Sequence, residues 1–249
     1  MRFGAATVLT LAVCAFAAAA TPTAPAPIGQ ACLSKAERAH ALRFRSGSGV
    51  EIGGVLLGRG RTGVVLVHES PGDLCQWVFY ARVLERRGYA VLPIDLNGFG
   101  SSPPAPGSPV RPRWDRDVAA AAGVLRAHGV RRVVLIGASL GGTSVMAAAA
   151  EIQPRVAGVV DLSGPAESSG IDAVAAARRL RVPALYEVAE DDAFLAEVRR
   201  VYRATPPRLR KLIVVPGAGH GVGLLREDLQ PHAAQDSAAI IAFIRAHGG

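Results

Sequence analysis

The stretch Val133-Val134-Leu135-Ile136-Gly137-Ala138-Ser139-Leu140-Gly141-Gly142 decides how the rest of this chain is read. It begins as a continuous apolar run, the composition of a strand buried on both faces. It ends in the pattern G-x-S-x-G and passes into an alanine-rich segment that continues to Glu151 as a helix. A strand that turns this sharply into a helix leaves the middle residue strained and its side chain exposed, and small neighbours let the two backbones approach closely. Ser139 holds that middle position. Its hydroxyl is a weak nucleophile alone and needs a base beside it. The helix start next to it favours negative charge through free N–H groups. A glycine-rich turn of purely structural use would look the same, so the rest of the chain must decide.

Working outward, apolar runs alternate with helical stretches. Strands are expected at Val64 to Val67, Ala90 to Ile94, Val133 to Ile136, Val156 to Leu162, Ala184 to Val188 and Leu212 to Val215. Helices are expected at Gln76 to Arg87, Trp114 to His128, Leu140 to Glu151, Ile171 to Leu180, Ala193 to Tyr202 and Ala233 to His247. Ala41 to Arg45 and Val50 to Leu57 form an opening strand pair around the turn Ser46-Gly47-Ser48-Gly49. Strand alternating with helix implies an α/β domain whose mostly parallel sheet of about eight strands is covered by helices on both faces. The connection from Ser163 to Arg181 has room for a loop and one short helix, so no large cap domain is expected.

Functional groups in such a sheet gather at the C-terminal ends of the strands. The base for Ser139 is then His220, which stands in the glycine-rich loop Pro216-Gly217-Ala218-Gly219-His220-Gly221 after the last strand. His128 and His247 read as helix-end residues, His40 precedes the first strand, and His232 follows Pro231. An acid that orients the base is sought in Glu190-Asp191-Asp192, at the end of another strand. Asp192 is preferred, with Asp191, then Glu190, and Asp161 at the preceding strand end as alternatives. An acid not used in this way could cap the following helix, a role open to Asp191.

The order Ser139, Asp192, His220 resembles that of the α/β-hydrolase family, and the resemblance runs from about Val64 to the C-terminus. In that family the later Asp of the acid loop usually serves, which supports Asp192. Pro93-Ile94-Asp95-Leu96-Asn97-Gly98-Phe99-Gly100-Ser101-Ser102 is similar to a family segment that is usually structural, so Asp95 receives no catalytic role. The resemblance implies an α/β-hydrolase fold and an oxyanion hole made by the backbone N–H of Leu140 and a second donor after the first parallel strand. There the sequence is His68-Glu69-Ser70-Pro71-Gly72, where many members have His-Gly. This loop resembles that of dienelactone-hydrolase-like members and makes the Ser70 N–H the second donor, although those members usually carry a Cys nucleophile. His68 is expected to order the loop. The implied activity is that of a serine hydrolase cleaving a carboxylic ester through an acyl-enzyme on Ser139. An acyltransferase, a peptidase or a non-catalytic binding protein on the same scaffold are the alternatives.

The remaining composition bounds compartment and partners. Met1-Arg2 precedes an uncharged apolar stretch from Ala5 to Ala20, closed by small residues and Thr21-Pro22. This is the pattern of a signal peptide over residues 1–20, too short for a membrane span. Residues 21–29 are a Pro/Ala-rich linker, and the catalytic domain covers 30–249. A secreted or periplasmic protein is expected, with lipoprotein processing at Cys14 as the alternative. Removing the signal leaves Cys32 and Cys75, an even pair bound for an oxidising compartment and expected to form a disulfide. The net charge of +8 comes almost wholly from arginines scattered as short pairs, which does not make a nucleic-acid footprint. Neither metal spacing nor a phosphate-binding loop occurs, so no metal and no cofactor is expected, and the partner is a small-molecule substrate.

Overall fold

In the computed structural model the described residues are Met1, 26–29, 31–104 and 112–249. Apart from Met1, the expected signal segment with Cys14 lies outside them, as do residues 21–25 of the expected linker and Gln30.

Eight strands form one sheet: β1 (Ala41–Arg45), β2 (Glu51–Val55), β3 (Thr62–Val67), β4 (Ala90–Ile94), β5 (Arg132–Ala138), β6 (Gly158–Leu162), β9 (Ala184–Ala189) and β10 (Arg210–Val215). Their order is β1-β2-β4-β3-β5-β6-β9-β10. β1 and β2 pair antiparallel and β2 meets β4 antiparallel. From β4 to β10 every neighbouring pair is parallel. The two remaining strands, β7 (Glu167–Ser168) and β8 (Ile171–Asp172), form a small hairpin of their own.

Strand alternation divides the core. Val65, Val67, Leu135 and Val159 face α3 (Trp114–Ala127), α4 (Leu140–Glu151), α5 (Ala173–Arg179) and α6 (Leu195–Ala204). Val64, Leu66, Val134, Ile136 and Val160 face the opposite layer, built from α2 (Val78–Glu85) and α7 (Ala233–Gly248). The period of two carries consecutive side chains to opposite faces, and helices on both sides keep both faces dry. A four-residue helix, α1 (Lys35–Arg38), precedes the sheet with Ser34 and Glu37 forming a capping box.

Three expected helices, those at Gln76, Ile171 and Ala193, begin two residues later than the sequence pattern suggests. The segment at Gln76 enters through a 3-10 turn, Leu74–Trp77, because the Asp73 carboxylate accepts the Cys75 N–H at 2.7 Å. The segment at Ile171 opens as β8, and the helix starts only after Asp172 accepts the Ala175 N–H at 2.9 Å. Between β6 and β9 the chain holds only this hairpin and α5, so no large cap covers the strand ends. Cys32 and Cys75 are joined in a disulfide, with Cα atoms 5.6 Å apart, which ties the N-terminal segment to the 3-10 turn.

Candidate active site

Ser139 sits between β5 and α4 with φ 48° and ψ −118°, a left-handed conformation unfavourable for a residue with a Cβ. Its N–H donates to the Leu162 carbonyl at 2.8 Å, and its own carbonyl accepts the Thr143 N–H at 3.1 Å, which starts α4. Such closeness requires glycine. A Cβ on Gly137 would run into the Gly141 carbonyl, and one on Gly141 would run into the carbonyls of Val67 and His68. The Ser139 turn is therefore packed directly on the loop that follows β3.

His220 follows β10, and its Nδ1–H donates to Asp192, 3.0 Å from Oδ2 and 3.2 Å from Oδ1. The two loops run side by side beyond the sheet: the Glu190 N–H donates to the Val215 carbonyl at 2.9 Å and the Asp191 N–H to the Gly217 carbonyl at 3.1 Å. The next residue, Gly221, lies against β5, since a Cβ there would sit 3.3 Å from the Ala138 Cβ. The loops that carry Asp192, His220 and Ser139 thus gather at the C-terminal ends of the strands.

The Asp192 side chain is 2% exposed and that of His220 38%. Burial works against ionisation of Asp192, but hydrogen bonds from His220 and the Phe194 N–H, with the Ser163 hydroxyl nearby, outweigh it and hold the carboxyl below its usual range. The Phe194 N–H lies 2.9 Å from Oδ1. His220 is shifted the opposite way: its hydrogen bond to Asp192 raises its pKa, burial opposes this, and the charges of Asp192 and Glu69 add to the rise. A carboxylate and an imidazole held like this favour the imidazolium that forms when His220 accepts a proton. The Phe194 ring lies 5.3 Å from the His220 ring, and together with Asp191, Asp192, Ala218 and Gly219 the two line a shallow depression of about 350 Å³.

The other acids fall elsewhere. Asp191 is exposed and does not cap the next helix, which starts two residues later than expected, at Leu195, with Phe194 at its N-cap and no side-chain capping bond. Asp192 itself shapes that turn through the Phe194 N–H. Asp161 is fully buried at the end of β6, accepts the Gly164 N–H at 2.8 Å, and is pushed up by burial to about 7. Asp95 accepts the Leu74 N–H, the Ser101 N–H and the Ser101 hydroxyl at 2.6 to 2.7 Å, a structural role. His68 is buried, donating from Nδ1 to the Glu69 carbonyl at 2.9 Å and accepting the Leu96 N–H on Nε2 at 3.0 Å. Burial holds it below its ordinary pKa, and the acceptor role of Nε2 fixes the neutral form.

Leu140 N–H opens α4 beside Ser139, and Ser70 lies exposed in the loop after β3. Neither N–H finds an acceptor among the described residues. Sequence reasoning missed Ser163 and Phe194, which flank Asp192 from two different connections. It also missed a second pair, His232 with Asp236, at the start of α7. The i, i+4 spacing of that pair on a helix was a usable signal.

The alpha/beta hydrolase fold family model matches residues 63–187, half of the chain, and the chain belongs to that family. The fold is similar to that of an esterase from Pyrococcus furiosus, with a TM-score of 0.72 at 15% identity over 92% of this chain and 99% of that one. It is also similar to an esterase from Rhodococcus (TM-score 0.67, 19% identity, 84% and 100% covered). A thermophilic esterase from Thermogutta terrifontis gives a TM-score of 0.66 at 21% identity, with 84% and 99% covered. No curated protein matches the chain in sequence.

Proposed function

We propose that this protein is a secreted serine hydrolase that cleaves carboxylic esters through an acyl-enzyme on Ser139. The observation that carries this reading is the Asp192–His220 hydrogen bond, formed between two strand ends beside the loop that carries Ser139. His220 removes the Ser139 proton as the hydroxyl oxygen attacks the ester carbonyl. Asp192 holds the Nδ1–H, so the other ring nitrogen is the one that takes the proton. The oxyanion is held by the Leu140 and Ser70 N–H groups. His220 then protonates the leaving alcohol, and a water that it deprotonates releases the acid. Three structural neighbours are named as esterases, which supports an ester over an amide.

Secretion is supported by the Met1-Arg2 start, the apolar stretch from Ala5 to Ala20 and the Cys32–Cys75 disulfide. On this reading residues 1–20 are a signal, 21–29 a linker and 30–249 the catalytic domain. No helix of the described residues is long and apolar enough to cross a membrane. The absence of a large cap suits a small substrate.

A fluorophosphonate probe tests the nucleophile: wild-type protein is labelled and Ser139→Ala is not. Equal labelling of both would refute it. Rates on short esters, long esters and aminoacyl amides test the substrate class, with short esters expected to be fastest.

A further inference from the structure

Glu69 stands where the chain leaves β3, in the loop that supplies Ser70. Its N–H donates to Gln76 Oε1 at 3.1 Å, which fixes the loop against the 3-10 turn. Its side chain crosses to the other side of the site, where Oε2 accepts the Val222 N–H at 3.1 Å. Val222 belongs to the 3-10 turn Gly221–Leu225, whose N-cap residue is His220. Gly221 has φ +53°, and a Cβ on it would collide with Glu69 Oε2, so the carboxylate lies directly on the backbone of the residue after His220.

A carboxylate is an expensive way to accept a single N–H. Burial raises the pKa of Glu69, opposing its charge, while the Val222 N–H and the charge of His220 favour it and Asp192 opposes it. A glutamine would accept the same N–H without that cost, so the geometry points to a use for the charge itself. The charged and titratable groups facing His220 are Asp192, from the loop after β9, and Glu69, from the loop after β3.

We propose that Glu69 is a positioning residue for the base: it ties the loop after β3 to the turn carrying His220, and its charge stabilises His220 as the imidazolium forms. This rests on His220 being the base for Ser139. The side chain does not touch the reacting atoms; it acts through His220. One residue thereby couples the loop that holds the oxyanion to the loop that moves the proton.

The test uses the disulfide-bonded protein and 4-nitrophenyl acetate, with kcat and KM measured across pH. In Glu69→Gln, kcat falls about tenfold with KM nearly unchanged, and the acidic limb of the kcat/KM profile moves to lower pH by a few tenths of a unit. In Glu69→Asp, which keeps the charge but is too short to reach Val222, kcat falls while the limb stays near that of the wild type. The unfolding midpoint of each variant is recorded, and Glu69→Ala, which also removes the charge, replaces Glu69→Gln if that variant does not fold. An unmoved limb in Glu69→Gln overturns the proposal even if kcat falls, because it would leave Glu69 a packing residue. So would a limb displaced as far in Glu69→Asp. Activity retained in His220→Asn would overturn the underlying assignment of the base, a failure distinct from an unmoved limb in an otherwise base-dependent enzyme.

Discussion

Reducing the Cys32–Cys75 bond is expected to destabilise the protein without abolishing its activity. The two cysteines are separated by 43 residues. On the chain-entropy model, closing a loop of that size lowers the entropy of the unfolded chain enough to contribute about 4 kcal/mol at 25 °C. The native state has other ties at the same place. Leu33 is buried in the layer under α2. Arg82 of α2 makes two bonds to Glu37, at 2.6 and 2.8 Å, and a third to the Cys32 carbonyl at 3.2 Å. Those contacts survive reduction, so the N-terminal segment stays docked and the loss falls on the unfolded state. With a urea dependence of about 2 kcal/mol per molar, the unfolding midpoint drops by about 2 M. The assay is urea unfolding followed by circular dichroism, on the oxidised protein and on Cys32→Ser/Cys75→Ser, with esterase rates measured in parallel at 25 °C. Identical midpoints would refute the entropic argument. A collapse of activity in the folded double variant would refute the claim that the remaining contacts hold the segment.

Asp192→Asn keeps the shape of the acid but removes the charge that orients His220, and kcat should fall by about 10⁴ while KM changes little. Asp95→Ala leaves the Leu74 and Ser101 N–H groups without their acceptor and should lower stability by about 3 kcal/mol, read from thermal melts. Glu187 is raised by burial, and by the nearby Asp236, from 4.5 to about 8. The folded chain therefore keeps this proton where the unfolded chain has released it, and stability falls as pH rises between those two values. Glu187→Gln should flatten that slope, so that the variant gains on the wild type between about pH 5 and about pH 8 in melts at both ends. A wild-type slope unchanged in the variant would mean that the proton is held elsewhere.

Much of this arrangement is legible in the sequence because parallel sheets put strand ends together. The bounds of β1, β4 and α4 follow directly from the Ser46-Gly47-Ser48-Gly49 turn, from an apolar run and from the G-x-S-x-G turn, respectively. Asp192 and His220 could be paired across 28 residues because each follows the end of a strand, and β9 and β10 are neighbours in the sheet. Less legible are contacts made by loops at right angles to that logic. The Glu69 carboxylate meets Val222 only once β3 and β10 have been placed, and no local pattern announces it. The helix starts at Val78 and Ala173 slipped because Asp73 and Asp172 cap turns whose bends depend on tertiary packing. Glu187 was visible: it is a charged residue inside the run from Ala184 to Val188 read as a buried strand. Such a residue demands either a partner or a retained proton, and the structure supplies Asp236 close by.

Two imidazole–carboxylate pairs in one chain show why such a pair alone does not define a site. His232 bonds through Nδ1 to Asp236, just as His220 bonds to Asp192. The difference lies at the second ring nitrogen. The His232 side chain is 11% exposed and its Nε2 is buried without a partner among the described residues, whereas His220 is 38% exposed. A base must deliver its proton to a leaving group and take one from water, which a sealed nitrogen cannot do. His232 also sits at the start of α7, on the layer that faces Leu66 and Ile136, while the nucleophile turn passes into α4 on the other layer. The His232–Asp236 pair instead lies near Glu187 of β9, in the buried layer between α7 and the strand that ends at the acid loop. The same pairing thus stays structural where it is sealed in the core. It becomes a candidate for proton transfer only where β10 ends and the chain turns back toward Ser139.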